Sequence, residues 1–267
     1  MNRALFSQTW RGQGLKLAIV STALAIWGSL MPLVYAQYGS QFKAVLDSGM
    51  LPPQFAKFGG GDIFTLSGSI ALGLIHPIAI ILTSVFSVGF STAAIAGERQ
   101  RGTLEVALAR PIARRSFYLT LLLAAFGFIA VTVAALLTGT MAGAAFAGVL
   151  GEFPVRHLPL VWLNAVLLFG SFTAIGLAAS SSFDRLAPAL GVTLGFVVLM
   201  YFLEILGSLW PAAETLQPYS LFHYLKTKAI LIGAPAPLDD VVLAVVIAVS
   251  VAWALIVFPR RDLAAPS

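Results

Sequence analysis

The chain has 267 residues, of which 59% are hydrophobic and only 10% are charged, with a net charge of +5 and no cysteine. Water-soluble domains carry about 25% charged residues, so this composition excludes a soluble protein and predicts a chain whose solvent is the bilayer. The lack of cysteine excludes disulfides, thiolate metal sites and cysteine nucleophiles.

The first predicted element is a short helix at the membrane surface within residues 1–16. Leu5, Phe6 and Trp10 lie roughly on one side of such a helix. The apolar run after it also carries Val34-Tyr35-Ala36, which resembles a signal-peptidase site. The long segment that precedes the run favours an uncleaved signal anchor.

Six segments are long and apolar enough to cross a bilayer, which takes about 20 residues. Because backbone groups in lipid must be hydrogen-bonded internally, we expect all of them to be helices. The predicted fold is therefore all-α, with a single polytopic transmembrane domain over residues 1–267. The predicted spans are 17–35, 66–96, 117–141, 159–181, 187–209 and 241–258.

Six spans place both termini on one side, and the basic residues indicate which side this is. Lys43, Lys57, Arg156, Lys226 and Lys228 lie in one set of loops, whereas all other lysines and arginines lie with the termini. The positive-inside rule therefore places both termini in the cytoplasm and assigns the basic residues to topology rather than to nucleic acid. The majority set is Arg3, Arg11, Lys16, Arg99, Arg101, Arg110, Arg114, Arg115, Arg185, Arg260 and Arg261.

The loop after the second span is predicted to contain a short cytoplasmic helix. Gly102 can end the preceding helix, Thr103 is predicted to be the N-cap of the next one, and Glu105 in its first turn suits the helix dipole. Leu104, Ala107 and Leu108 form an apolar stripe, and Pro111 stops the element. Such a helix either fits a groove on a soluble partner or lies on anionic lipid.

A second amphipathic segment, 219–232, is predicted on the outer side. Apolar residues recur there at helical spacing, which favours one helix. It is either a re-entrant or gate helix, or a helix lying on the lipid headgroups. The apolar positions are Leu221, Phe222, Leu225, Ala229 and Ile232.

Two polar residues in the spans are candidates for a translocation pathway. Glu204 is the one formal charge inside a predicted span, and His76 precedes Pro77, which is expected to kink the second span. We hypothesise that His76 and Glu204 face a shared outer vestibule. The alternatives are a packing role for His76 and an interfacial position for Glu204.

The sequence holds little catalytic chemistry of its own. It has no G-x-x-x-x-G-K-[ST] phosphate loop, so we expect no bound ATP, and its three histidines lack the spacing of a metal site. Two polar groups within the spans make a poor catalytic constellation. We therefore expect neither an enzyme nor a cofactor held by this chain.

Three stretches together resemble one known family. Glu98, Gly102-Thr103-Leu104-Glu105 and Pro111-x-x-Arg114 resemble the E-x-x-x-G-T-L-E…P-x-x-R signature of ABC-2-type permeases. The stretch 219–224 resembles the outer segment before their last span, and 258–263 resembles their C-terminal exit motif. The chain departs from many relatives in having no acidic residue in residues 1–16.

The resemblance implies the membrane permease subunit of an ABC exporter in a bacterial cytoplasmic membrane. Its implied partners are an ABC ATPase subunit, which holds ATP and Mg, a second permease copy in a homo- or heterodimer, and membrane lipid, with no nucleic acid. The alternatives are a subunit that transmits ATPase motion to an extracytoplasmic partner, and a secondary transporter. The implied ATPase-coupling residues are Glu98, Arg101, Gly102, Thr103, Leu104, Glu105, Leu108, Pro111 and Arg114.

Overall fold

A computed structural model describes residues 2–49, 65–109 and 112–261. Within these residues, five helices are long and apolar enough to cross a membrane, and a helix pair bent by 44° makes six if it is counted as one span. This confirms the all-α polytopic fold. The α-helices are α1 (Arg3–Gly12), α2 (Gly14–Asp47), α3 (Leu66–Ile75), α4 (Pro77–Ser84), α5 (Glu98–Gln100), α6 (Thr103–Leu108), α7 (Arg114–Phe146), α8 (Leu158–Ser182), α9 (Leu186–Leu209), α10 (Thr227–Leu231) and α11 (Pro237–Arg260).

The first span, α2, is longer than the predicted 17–35. It has 34 residues and runs through Val34-Tyr35-Ala36 without a break. At 1.5 Å per residue α2 is about 50 Å long, whereas the bilayer core is about 30 Å thick. The predicted end of this span at residue 35 is therefore wrong, because the helix continues past the apolar run. The sequence also predicts turns at Pro52-Pro53 and at the three glycines 59–61, which lie outside the described residues.

Two glycines bring α2 and α7 into close contact. A Cβ atom added to Gly139 would lie 2.0 Å from the carbonyl oxygen of Ala25, and one added to Gly143 would lie 2.2 Å from that of Ser29. Small residues four apart in the sequence, at Gly139/Gly143 and at Gly191/Gly195, permit close helix approach. The first pair makes such an approach, whereas a Cβ atom added to Gly191 or Gly195 meets no atom within 4 Å.

The second span is bent where Pro77 was expected to kink it. α3 ends at Ile75, His76 is extended with ψ 142°, and the helix from Pro77 to Phe90 departs at 44° from α3. Proline has no N–H and disfavours helical backbone in the residue before it, so the break falls at His76. Below, "outer" denotes the α3 side of this break and "inner" the side that leads to α6.

The inner half of this span departs from α-helical geometry in a way that the sequence analysis did not predict. Val85–Phe90 and Ala93–Gly97 are π-helical. π-Helices are rare, occur mostly as single turns and are frequent at functional sites. The apolar pattern predicted a regular α-helix here, because hydropathy carries no information on a change of helical register.

The outer segment before the last span is not the single helix that was predicted. It consists of 3₁₀ turns at Pro211–Tyr219 and Leu221–Tyr224, followed by the short α10. The Phe222 side chain is fully buried, with its ring centroid 5.3 Å from that of Phe172 and 5.4 Å from that of Tyr201. Phe222 therefore packs between α8 and α9, and the choice between a re-entrant or gate segment and one that lies on the lipid headgroups stays a prediction.

Asn164 on α8 fixes this outer segment by hydrogen bonds in both directions. Its Nδ2 donates to the Tyr224 carbonyl at 2.9 Å and to Asp240 Oδ1 at 2.7 Å. Its Oδ1 accepts from the backbone N–H of Lys226 at 3.0 Å. A buried side-chain amide that satisfies backbone groups on an irregular segment specifies one conformation for that segment.

Candidate functional site

The loop after the second span is organised by the Glu98 carboxylate. This carboxylate accepts close hydrogen bonds from the Thr103 hydroxyl and from Arg101 Nη2. Between them, Gly102 has φ +72°, and its N–H donates to the Arg99 carbonyl at 3.0 Å. A left-handed φ suits glycine, so Glu98, Gly102 and Thr103 together close a tight turn into α6.

The predicted helix α6 is present, but its N-cap prediction is wrong. Gly102 occupies the N-cap position and Thr103 is the first helical residue. The Thr103 hydroxyl turns back to the Glu98 carboxylate and to the Glu98 carbonyl at 3.1 Å, so it closes the turn instead of capping the helix. Glu105 lies in the first turn, as predicted.

The apolar stripe of α6 faces the protein's own helices. Leu104 is 1% exposed in a cluster with Phe117 of α7 and Phe258 of α11, and Leu108 packs against this cluster. The opposite face carries Glu105 and Val106, both exposed, with Val106 71% exposed. The apolar stripe of α6 therefore packs in a groove of this chain itself. The exposed face of α6 carries one acidic and one apolar side chain.

A cleft of about 520 Å³ separates α6 from α1. Leu5 and Gln8 of α1 line one side, and Thr103, Val106 and Ala107 of α6 line the other. The cleft therefore borders the exposed face of α6, and residues 1–16 contribute to it despite their lack of an acidic residue.

α1 is held against α7 at both of its ends. The Asn2 N–H donates to Thr120 Oγ1 at 3.1 Å, and the Asn2 side chain caps α1 by accepting from the Leu5 N–H at 3.0 Å. Near the other end, the Trp10 ring lies 4.7 Å from that of Phe128. The apolar side of α1 thus faces protein, which fixes one wall of the cleft.

Arg114 connects the start of α7 to the end of α11. Its Nη1 donates to the carbonyls of Pro259 at 3.0 Å and of Arg261 at 2.6 Å. The last carbonyls of a helix have no partner within the helix, and an arginine there satisfies them and complements the helix dipole. Arg114 therefore anchors the loop to the last span, while Pro111 of the same motif lies outside the described residues.

The sequence analysis missed a further connection at this inner end. Arg99 is 2% exposed, and its Nη1 lies 2.8 Å from Asp184 Oδ1, which also accepts from Arg261 Nη2 at 2.7 Å. Burial and the nearby Arg261 lower the pKa of Arg99, whereas Asp184 acts in the opposite direction. The signal in the sequence was Asp184 itself, an acidic residue in a short loop on the arginine-rich side.

The two polar residues within the spans have different neighbours. The His76 ring lies 4.6 Å from the Trp27 ring, and His76 Nδ1 accepts from the Ile78 N–H at 3.3 Å. Glu204 Oε1 accepts from Gln217 Nε2 at 3.4 Å. No contact joins His76 to Glu204 among the described residues, so their shared vestibule stays a prediction. Within residues 2–49, 65–109 and 112–261, no group of three His, Asp or Glu side chains is placed to hold a metal ion.

A family model described as ABC-2 family transporter protein matches residues 15–263, which include all six spans and the whole loop from Glu98 to Arg114. No curated protein matches the chain significantly.

Proposed function

The chain belongs to the ABC-2 family of transporter proteins, and we propose that this multi-pass membrane permease component works as an exporter driven by ATP hydrolysis on a separate ATPase subunit. Two permease copies, identical or different, pair in the cytoplasmic membrane of a bacterium. Each copy binds one ATPase subunit, which holds the ATP and Mg. The family supports the partnership with an ATPase, and the positive-inside distribution of arginines supports the orientation.

The observation that carries this proposal is the division of α6 into two faces. Leu104 and Leu108 seat the helix on the ends of the spans, whereas Glu105 and Val106 face outwards beside the cleft with α1. A partner that grips the exposed face can move the spans through the seated face. A helix that only rested on lipid headgroups would turn its apolar stripe to the lipid instead.

The connection from α6 to the pathway runs through the second span. Glu98 closes the turn between the two helices, so a displacement of α6 carries the inner end of this span with it. The bend at His76 supplies a hinge, because the extended residue interrupts the helix. We propose that the hinge opens and closes a pathway that His76 and Glu204 line.

The test uses the exposed face of α6. Val106→Asp replaces an apolar side chain with a charged one, and Glu105→Arg inverts a charge. For each variant we expect the affinity for the ATPase subunit to fall by about tenfold, which corresponds to about 1.4 kcal/mol. Val155→Asp, the same change at an exposed valine on the outer side, is the control. Affinity is measured with purified permease in nanodiscs and an ABC ATPase subunit that binds the unmodified permease. Unchanged affinity in both α6 variants would remove this face as the docking site.

A further inference from the structure

The inner end of the second span is held in its π register by a side chain from another helix. The Ser180 hydroxyl of α8 accepts from the N–H groups of Ile95 at 3.1 Å and Ala96 at 2.8 Å. The same hydroxyl donates to the carbonyl of Thr92 at 2.6 Å. Ser180 is completely buried, so no water competes for these three bonds.

The positions of these partners show which helical hydrogen bond the Ser180 hydroxyl replaces. In a regular α-helix the N–H of Ala96 bonds directly to the C=O of Thr92, four residues earlier. The Ser180 hydroxyl occupies the gap between this donor and this acceptor and bonds to both of them. A side chain inserted into the helical ladder is a recognised cause of local distortion. Ser180 therefore substitutes for one α-helical hydrogen bond of its neighbour.

Neighbouring hydroxyls of α8 and of the second span do not have this role. Ser181, also completely buried, donates to the Leu177 carbonyl of its own helix at 2.8 Å. Ser91 and Thr92 likewise donate to carbonyls of their own span, at 2.7 Å in each case. Among these buried hydroxyls, Ser180 is thus the one whose bonds cross to a different helix and enter its ladder.

We propose that Ser180 is a positioning residue that fixes the rotational setting of α6. Withdrawal of its hydroxyl lets the Ala96 N–H close on the Thr92 carbonyl and converts the π turn to α. Because the chain length does not change, this conversion rotates the residues that follow, including α6, by about 100° about the helix axis. A group about 5 Å from the helix axis then moves by roughly 8 Å. The importance of Ser180 for transport rests on the proposed role of α6, but the rotation of α6 does not.

The test measures the position of α6 directly. Because the chain has no cysteine, spin labels can be placed at Val106 and Arg260 alone, in one protomer diluted with unlabelled chain in nanodiscs. We expect Ser180→Ala to shift the distance between the labels by several ångströms, and Ser181→Ala to leave it unchanged. Ser180→Thr, which retains the hydroxyl, should restore the original distance.

Deletion of Ala94 separates a change of register from general damage. The deletion removes the extra residue of the π turn, so an α-helical turn forms with both flanks in place. We expect the Ala94 deletion to keep the original distance and to make Ser180→Ala silent in both distance and thermal stability. The proposal is overturned if Ser180→Ala leaves the distance unchanged in the full-length chain. It is also overturned if Ser180→Ala changes the distance or the melting temperature by the same amount in the Ala94 deletion as in the full-length chain. The melting temperature gives this comparison even when the Ser180→Ala variant folds poorly. Neither result depends on an ATPase, so the proposed function is tested separately.

Discussion

Asp184, in the short connection between α8 and α9, pairs with the buried Arg99 guanidinium at 2.8 Å and so ties the inner end of the second span to the connection between the fourth and fifth spans. The two members of this pair differ in environment, since Arg99 is 2% and Asp184 54% exposed. Loss of the carboxylate leaves a buried arginine short of its main counter-charge. The second arginine on Asp184, Arg261, would be released at the same time.

Asp184→Asn is therefore expected to lower the free energy of unfolding by about 1–3 kcal/mol, less than for a fully buried pair because Asp184 is half exposed. Thermal unfolding in detergent measures this. Glu214→Gln, at an exposed acid on the outer side, should leave the melting temperature unchanged. Equal melting temperatures for the two variants would contradict a stabilising role for the Arg99–Asp184 pair.

Substitutions at Gly102 should follow the cost of a left-handed backbone. A Cβ at this position meets no atom within 4 Å, so only the φ of +72° opposes a side chain. Gly102→Ala should destabilise the turn by about 1–2 kcal/mol, and Gly102→Asn by less, because asparagine tolerates this region. Hydrogen exchange of residues 98–108 reports the opening of the turn. Faster exchange in the asparagine variant than in the alanine variant would refute this explanation.

Beside the bend at His76, Trp27 Nε1 donates to the Gly73 carbonyl at 2.9 Å. The break removes helical partners from carbonyls just before it, so this bond satisfies a group that the bend exposes. Trp27→Phe should cost about 1–2 kcal/mol. Trp162→Phe is the matched control, because Trp162 Nε1 donates at 2.9 Å to Ala130 within the unbroken α7. Comparable losses of thermal stability would argue against a special role for Trp27.

The outer segment 219–232 should loosen in acid. Burial and Lys226 lower the pKa of His223 from 6.5, with Asp239 opposing them, and Lys226 Nζ lies 3.3 Å from His223 Nε2. Since the folded state holds the proton less tightly than the unfolded chain, stability is lost as the pH falls below 6.5. Hydrogen exchange of 219–232, corrected for intrinsic rates, should accelerate between pH 7.5 and 5.5. His223→Gln should abolish this pH dependence, and its persistence in that variant would exclude His223 as the cause.

Composition and hydropathy predicted the spans because lipid imposes one criterion on every residue of a span. The predicted 187–209 agrees closely with α9, which lies between a charged residue, Arg185, and Trp210, a residue type that is enriched at the membrane interface. The same criterion failed for α2, because a helix can continue into water after its apolar residues end. The kink at Pro77 was predictable because proline acts through local backbone chemistry.

The site was predictable only in outline. Local spacing gave α6 and its apolar stripe, but it could not say whether the stripe faced a partner, lipid or the protein itself. The bonds of Arg114 and Arg99 join residues 147 and 85 positions apart, and nothing local encodes them. The role of Ser180 was not predictable for the same reason, since the sequence does not indicate which neighbouring helix the hydroxyl of a serine in an apolar helix will bond to.

The bonds of Arg261 have a consequence for biogenesis. Arg114 leaves the ribosome 147 residues ahead of Arg261, and Asp184 leaves it 77 residues ahead. Both wait in the nascent chain for a residue that directly follows the sixth span. The inner surface can therefore be completed only after the sixth helix has been inserted, and a chain that stops short of Arg261 would present quality-control proteases with an unfinished face.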